Sequence, residues 1–262
     1  DMGQDILSEL AVGARTSLFI GVVAAILATT IGGIMGVLAG YIGGRFEMIV
    51  MRVIDVVMTL PFLPLMIVVA VYIGPGVMTQ IFVITLVMWA GKARQIRAQT
   101  LSIKSAGPVL AAKTMGASDF YIFYKHITPG VFPIFIPQFV GAVNGAILME
   151  SSLSFLGLGD PTMKSWGSIL YYANNRSGFL TDAWMWWIIP PGICIVFVVL
   201  AFSFIGYFLE EKVNPRLGMY TVAKKRPKQQ FEIVSQLVES QITLAVEKLT
   251  VQYPKNNTFT TV

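Results

Sequence analysis

Long apolar stretches, separated by short polar segments, dominate the pattern of this chain. Four of these stretches contain no charged residue, and they cover residues 18–42, 56–91, 127–149 and 183–209. A helix needs about 20 such residues to cross the hydrocarbon core of a bilayer. The second stretch is long enough for two crossings, and Gly74-Pro75-Gly76 should break it into 56–73 and 77–91. The pattern therefore predicts five membrane-spanning helices.

Composition agrees with an integral membrane protein. Hydrophobic residues make up 55% of the 262 residues and charged residues 13%, and the mean hydropathy is +0.70. Soluble domains contain about 45–50% apolar residues. We therefore predict an all-α fold in which five transmembrane helices belong to this chain.

Basic residues predict the orientation, because they concentrate at span ends on the cytoplasmic side. They lie between spans one and two, between spans three and four, and after span five, at Arg45, Arg52, Lys92, Arg94, Arg97, Lys104, Lys113, Lys125, Lys212, Arg216, Lys224, Lys225, Arg226 and Lys228. The other side has only Arg15, Lys164 and Arg176. We therefore expect segment 110–129 and the C-terminus to be cytoplasmic and the first residue to be outside.

The chain begins at Asp1, with neither an initiator Met nor the basic start and short apolar core of a signal peptide. We therefore expect a segment upstream of this residue. One further span there would put the native N-terminus inside.

Segment 110–129, LAAKTMGASDFYIFYKHITP, is polar and contains a glycine in an otherwise apolar region. Pro108 favours the start of a helix and Gly116 its end, and Ser118 and Asp119 provide oxygens that can cap a second helix. Residues 120, 123, 124 and 127 follow at spacings of three and four, which predicts one aromatic face before Pro129 stops the helix. Such a helix suits docking in a groove of another protein. Lying on lipid headgroups is the alternative, and nearby lysines favour it.

The pattern AA-x(3)-G followed by H-x-x-P resembles the EAA loop of the membrane subunits of ABC importers. In that family the loop forms a short coupling helix that sits in a cleft of the nucleotide-binding subunit. The resemblance implies a cytoplasmic coupling helix at 108–130, with ATPase-coupling residues Ala111, Ala112, Gly116, Ala117, Ser118, Asp119, His126 and Pro129. The leading glutamate of the motif is replaced by Leu110, so the contact there should differ from that of the family.

Two further segments narrow the resemblance. ESSLSFLGLGDPTMKSWGSIL at 150–170 and DMGQDILSELAVGARTSL at 1–18 are similar to segments of the second permease subunit of dipeptide, oligopeptide and nickel importers. The resemblance covers residues 1 to about 217 and implies six transmembrane helices, the first upstream of residue 1. It also implies a prokaryotic plasma (inner) membrane location, a heterodimer with a homologous permease, two ABC ATPase subunits or domains that bind ATP and Mg, and an extracytoplasmic substrate-binding protein. No nucleic acid is implied.

Polar residues in the fourth predicted span are candidates for a translocation path. Gln138 and Asn144 need hydrogen-bond partners away from lipid, which either a path or a neighbouring helix provides. Glu150 ends the span, and a carboxylate inside the membrane would cost roughly 2.5 to 3.5 kcal/mol on insertion scales. We therefore expect Glu150 to face water on the outer side, at the mouth of a passage or at a solvated helix end.

The outer segment that follows contains Gly157, Gly159, Pro161 and Trp166, and Trp184 comes after it. These residues predict turns and amphipathic aromatic side chains that rest at the membrane interface. Docking of a binding protein is the alternative function of this segment.

Residues suited to catalysis are missing from the sequence. His126 is the only histidine and Cys194 the only cysteine, so neither a metal site nor an intrachain disulfide is predicted. No nucleophile with a base is recognisable, and the Walker A pattern G-x(4)-G-K-[ST] does not occur. We expect a transport subunit that has no ATP-hydrolysis site in this chain.

The composition changes after Arg216, which suggests a domain boundary. We predict a transmembrane domain over 1–217 and a cytoplasmic linker over 218–240, with a short helix at 231–240. Alternating apolar residues at 242–253 predict a strand with a bulge. ITLAVEKLTVQYP resembles the first strand of an ABC ATPase domain, which implies that Tyr253 stacks on adenine. Segment 241–262 is then the start of such a domain, and an unrelated or disordered tail is the alternative.

The predicted function is the permease subunit of an ATP-driven importer of di- or oligopeptides or a related small solute. A nickel importer of the same family, an ion-gradient-driven secondary transporter and a non-transporting membrane scaffold are the alternatives. The predicted spans contain almost none of the ionisable pairs that a gradient-driven transporter needs.

Overall fold

The computed structural model describes residues 5–176, 184–213, 252–255 and 258–261. Its helices, in chain order, are α1 (Ile6–Ile42), α2 (Gly44–Thr59), α3 (Phe62–Ile73), α4 (Val77–Lys104), α5 (Gly107–Thr114), α6 (Asp119–Ile122), α7 (Thr128–Leu153), α8 (Trp166–Asn175), α9 (Trp184–Trp187) and α10 (Ile189–Val213). The π-helical turns Phe123–Ile127 and Ser154–Leu158 flank α7.

The C-terminal unit begins at Pro215. Its described part is an antiparallel hairpin of β1 (Gln252–Lys255) and β2 (Thr258–Thr261). The predicted linker 218–240 and residues 241–251 of the predicted strand lie outside the described residues.

Three helical stretches in the described part of the chain are long and apolar enough to cross a membrane. They are Ile6–Ile42, Asp119–Leu158 and Trp184–Glu210. These stretches contain the first, fourth and fifth predicted spans, apart from residue 183, which lies outside the described residues. The first helix also begins earlier than predicted, because the carboxylate of Asp5 caps it by accepting hydrogen bonds from the N–H groups of Leu7 and Ser8.

The second predicted span is not one straight helix. Helices α2 and α3 meet at 91°, and the break lies at Leu60, whose ψ of 135° is extended. Proline pushes the preceding residue away from the helical region, so Pro61 explains this break. The 12 residues of α3 are about 18 Å long, which is shorter than the roughly 30 Å of hydrocarbon. Segment 56–73 is therefore part of a bent helix pair.

The predicted break at residues 74–76 is confirmed, but the helix after it is longer than predicted. Helix α3 ends at Ile73 and α4 begins at Val77. Helix α4 has 28 residues and continues to Lys104. Consequently Lys92, Arg94 and Arg97, which predicted a loop between spans, lie within a helix.

Helix α1 packs along α4 through a row of small residues. Gly32, Gly36 and Gly40 recur every four residues on the buried side of α1. A Cβ atom on Gly36 would lie 2.6 Å from the carbonyl oxygen of Ala93, and one on Gly32 would lie 2.6 Å from that of Trp89. Only glycine permits these backbones to approach so closely.

Helix α7 packs against both members of this pair, and α10 packs against α7. Two apolar clusters mark opposite ends of α1. One contains Leu10 and Trp166, and the other contains Ile96 and Ile127, with Tyr41 packed against it. Glu150 lies at the end of the bundle that contains Leu10 and Trp166. The segment that resembles a coupling helix lies at the end that contains Ile96 and Ile127.

The glycine row predicts a difference between two glycine substitutions. We expect Gly36→Ala to destabilise the protein by about 1–3 kcal/mol, because the new methyl group overpacks the contact with α4. Gly91→Ala should be neutral or stabilising, since nothing lies within 4 Å of a Cβ there and alanine favours helix. Thermal unfolding of the purified membrane complex measures both. Equal midpoints for the two variants would contradict the close contact.

Candidate coupling and translocation sites

Helix α5 begins near a proline and ends near a glycine, as its sequence predicts. Pro108 lies in the first turn, where an amide donor is not needed. At the other end Gly116 N–H donates to the Lys113 carbonyl and Ala117 N–H to the Ala112 carbonyl, each at 3.1 Å. These two bonds form a Schellman motif. The φ of Gly116 is +83°, in the left-handed region where glycine carries no steric cost.

Part of the AA-x(3)-G pattern therefore specifies where helix α5 ends. Ala112 and Ala117, which occupy the two positions that usually meet across a Schellman motif, both pack against the apolar cluster around Ile127. Ala111, by contrast, is exposed.

The second predicted helix starts where expected but does not stop. Ser118 caps α6, because its hydroxyl accepts a hydrogen bond from Tyr121 N–H at 3.3 Å. The chain then passes through the π turn directly into α7. The prediction that Pro129 stops the helix is wrong, because Pro129 lies in the first turn of α7, just after the wider π turn.

The predicted single aromatic face is divided between two sides. Phe120 and Tyr124 are 79% and 70% exposed, whereas Ile127 is fully buried and Phe123 is partly buried. The inner pair packs on Ile96 of α4 and its neighbours. The π turn changes the angular spacing after residue 122, which the regular helical spacing in the sequence did not predict.

Large apolar side chains remain exposed around this turn. They are Leu110, Met115, Phe120, Tyr121 and Tyr124, and we call them the coupling surface. Apolar patches of this kind mark contacts with a protein or a membrane. Lys113 and Lys125 are exposed beside them. The ring of His126 is half-buried and meets the edge of Tyr121, with the ring centroids 6.0 Å apart.

Tyr41, near the end of α1, connects the coupling surface to the helix bundle. Its hydroxyl donates to the backbone carbonyl of Asp119, and its ring centroid lies 5.1 Å from that of Phe123. Lys104, at the end of α4, donates to the Tyr41 carbonyl at 2.6 Å. The ends of α1 and α4 are thereby bonded to the turn that carries the exposed side chains.

Glu150 lies at the other end of the bundle, where the structure corrects the prediction that it faces water. The residue is fully buried. Ser154 donates to one carboxylate oxygen at 2.7 Å and Ser151 to the other at 3.4 Å. Ser17 and Ser165 also hydrogen-bond to the carboxylate. These hydroxyls replace water around the charge. Ser17 belongs to α1 and Ser165 precedes α8, so the sequence around Glu150 did not reveal the full set.

The hydrogen-bond network around Glu150 extends to further helices. Gln80 of α4 donates to the Ser154 hydroxyl at 2.9 Å. The backbone N–H of Trp166 donates to the Ser17 hydroxyl, and its indole N–H donates to the Leu10 carbonyl, each at 3.1 Å. Trp166 is only 3% exposed, so the prediction that it rests at the membrane interface is wrong.

Asp160 holds the loop between Glu150 and α8. One carboxylate oxygen accepts hydrogen bonds from the Thr162 hydroxyl at 2.6 Å and the Thr162 N–H at 2.8 Å, and the other accepts from Val77 N–H at 3.4 Å. The bond from the Thr162 hydroxyl holds the pKa of the Asp160 carboxyl below its usual range, although partial burial opposes this. Lys164 forms an ion pair with Glu9 of α1. The loop is thus bonded to the first turns of α1 and α4.

The other two candidates for a translocation path lie on α7. Gln138 is half-buried. Asn144 donates its amide to the Ser203 hydroxyl of α10 at 2.9 Å, so part of this side chain serves a contact between helices. Its carbonyl oxygen is buried and has no hydrogen-bond partner within the described residues.

Helix α4 also carries a polar stripe, which was not among the predicted site residues. Lys92, Gln95 and Gln99 lie at positions i, i+3 and i+7 and therefore on one face of the helix. Lys92 is half-buried and the two glutamines are exposed. The spacing was visible in the sequence, but the predicted span ended at Gly91, before the stripe.

Tyr253 belongs to β1, where it is paired with Thr260. Adenine stacking by Tyr253 stays a prediction.

Comparisons with known proteins agree with this arrangement. Residues 28–219 match the family described as binding-protein-dependent transport system inner membrane component. The dipeptide transport system permease protein DppC of Bacillus subtilis is 39% identical over 218 residues, which are 83% of this chain and 67% of that protein. The oligopeptide transport system permease protein OppC of Haemophilus influenzae is 34% identical over 215 residues, which are 82% of this chain and 68% of that protein.

A solved structure shares the fold. An inward-facing structure of the MetNI methionine ABC transporter superposes with a TM-score of 0.68 and covers 81% of this chain and 99% of that chain. Its sequence identity of 19% is low, so this similarity concerns the fold alone.

The hydroxyls around Glu150 predict a structural role for its carboxylate. We expect Glu150→Ala to destabilise the protein by about 2 kcal/mol or more, because it leaves a cavity and unpaired buried hydroxyls. Glu150→Gln preserves the shape and can still hydrogen-bond, so it should cost less. Thermal unfolding of the membrane complex measures both variants. If all three proteins unfolded at the same temperature and only transport changed, Glu150 would belong to a path instead.

Proposed function

Since the chain belongs to the family of binding-protein-dependent transport system inner membrane components, we propose that it forms the translocation path of an ATP-driven importer of peptides. The solute class is supported by its relatives, which are named dipeptide and oligopeptide permeases. The assembly would contain a homologous permease, two ABC ATPase subunits or domains and an extracytoplasmic binding protein. ATP and Mg would bind to the ATPases.

The main support for a coupling role is the combination of exposure and rigidity at the coupling surface. Its side chains are exposed while the residues beneath them are packed and hydrogen-bonded to the bundle. A rigid turn with exposed apolar side chains suits insertion into a groove of a partner protein. A segment that only rested on lipid headgroups would not need such a fixed connection to α1 and α4.

The orientation we propose places the coupling surface in the cytoplasm. Lys104, Lys113 and Lys125 surround it, which agrees with the enrichment of basic residues on that side. The loop held by Asp160 then lies at the opposite, outer end of the bundle. That loop is the surface we propose for the binding protein.

Nucleotide-driven closure of the ATPases would move the coupling surface as a rigid body. The hydrogen bonds of Tyr41 and Lys104 would pass this movement to α1 and α4. Because α7 packs against both helices, the three would move together and change which end of the path is open.

Gly116→Val tests the coupling role in the complete importer. A branched side chain at a φ of +83° should disrupt the end of α5 by about 1–2 kcal/mol or more. We expect the variant to assemble but to lose most of the ATPase stimulation by loaded binding protein, and with it peptide uptake into ATP-loaded proteoliposomes.

Gly192→Val in α10 is the matched control, because its backbone has no positive φ, nothing lies within 4 Å of a Cβ there, and it lies outside the coupling surface. It should couple like the unmodified protein. Normal coupling by Gly116→Val would contradict the coupling role. Peptide uptake that survives without ATP and collapses with an ionophore would instead identify a gradient-driven transporter.

A further inference from the structure

Lys92 occupies an unusual position halfway along the bundle. It lies near the middle of α4, where this helix packs closely on α1. A Cβ atom added to Gly32 of α1 would lie only 2.8 Å from the Cβ atom of Lys92. Its ammonium group lies beside Gly141, 3.7 Å from where a Cβ would be placed. Gly141 itself is in the middle of α7 and exposed. The ammonium therefore lies at an open surface between α4 and α7.

The neighbouring cations of α4 differ from Lys92 because they are neutralised. Arg94 forms an ion pair with Asp55 and Arg97 with Glu47, both on α2. Residues 92 and 94 are two positions apart and point to opposite sides of a helix. Lys92 has neither an ion pair nor a hydrogen bond within the part of the chain that the structure describes. An unpaired charge within a membrane helix marks a candidate functional site.

The surroundings of Lys92 suit a polar solute. Gln95 and Gln99 continue its face of α4 toward the end that carries the coupling surface, a distance of about 10 Å along the helix axis. Across from Lys92, α7 presents Gly141, which is exposed and has no side chain to cover the ammonium group. A charged group followed by two exposed side-chain amides suits an extended polar molecule.

Another concave region in the described chain lacks these features. A groove of about 310 Å³ beside the coupling surface is lined by apolar residues of α1 and α7 and by Thr128. It contains no charged group that would recognise an anion.

We propose that Lys92 binds the carboxylate of the transported solute as it passes along the exposed surface that α4 and α7 form together. This inference rests on the proposed function and adds one chemical requirement, a negatively charged group on the solute. Every peptide with an unmodified C-terminus carries such a group. The ammonium and the carboxylate form a charge-assisted hydrogen bond, and Gln95 and Gln99 provide donors and acceptors for the peptide backbone.

Uptake of a dipeptide and of its C-terminal amide tests the proposal. The reconstituted importer, with its binding protein saturated by either peptide, is compared as unmodified protein, Lys92→Met and Lys92→Arg. We expect Lys92→Met to lower the maximal uptake rate of the free acid about tenfold or more, which corresponds to the loss of one charge-assisted contact. Uptake of the amide should change much less. Lys92→Arg should keep most of the preference for the free acid.

Lys212→Met is the control for removing a lysine elsewhere, since Lys212 lies at the end of α10 over the ring of Phe208. It should leave both uptake rates unchanged. The proposal would be overturned if the ratio of the free-acid uptake rate to the amide uptake rate were the same in Lys92→Met as in the unmodified protein, whether both rates stay high or both fall. An equal fall would mean that Lys92 pairs with a carboxylate of the assembly. Failure of the unmodified importer to take up any peptide would contradict the proposed function itself.

A second measurement does not depend on delivery by the binding protein. The free dipeptide at millimolar concentration should raise the unfolding temperature of the unmodified membrane complex and have a smaller effect on Lys92→Met. The amide should not distinguish the two proteins. Equal shifts by the free acid would overturn the assignment.

Discussion

Helices α1 and α4 approach each other so closely that their backbones touch through glycine, and the rest of the bundle depends on this contact. A methyl group on Gly36 would meet a carbonyl oxygen of α4 at 2.6 Å. In a membrane, helices gain little from hydrophobic burial against one another, so close packing of small residues has to provide much of their attraction. Helix α7 packs against the pair, and both functional ends are built on these three helices.

The two ends are joined to the same helices by different chemistry. At one end, Glu150 and its hydroxyl donors connect α1, α4 and α7 with the loop before α8. At the other end, Tyr41 and Lys104 connect α1 and α4 with the turn that carries the coupling surface. Neither end can move far without its helices. Lys92 lies between the two ends, so a joint movement of these helices would carry its ammonium group with it.

Much of this arrangement follows from the sequence, and the exceptions have physical causes. The long apolar runs, the break at residues 74–76 and the Gly116 turn depend on local properties of the chain, so pattern and residue type were sufficient. Helix α4 was predicted too short because its arginines are neutralised by carboxylates of α2, which no local pattern reveals. The burial of Glu150 likewise depends on serines far away in sequence. The π turn, which divides the aromatic face, arises where Phe123 and Ile127 cover α4.

The central claim is that the coupling surface contacts an ATPase. A photoreactive phenylalanine analogue at Phe120, 79% exposed, tests it directly, with the same analogue at Phe204 of α10, 72% exposed, as the control. After illumination of the complete importer in its membrane, we expect a covalent adduct between position 120 and an ATPase subunit and none between position 204 and an ATPase subunit. Adducts of position 120 with lipid alone would contradict it and would identify the segment as one that rests on headgroups.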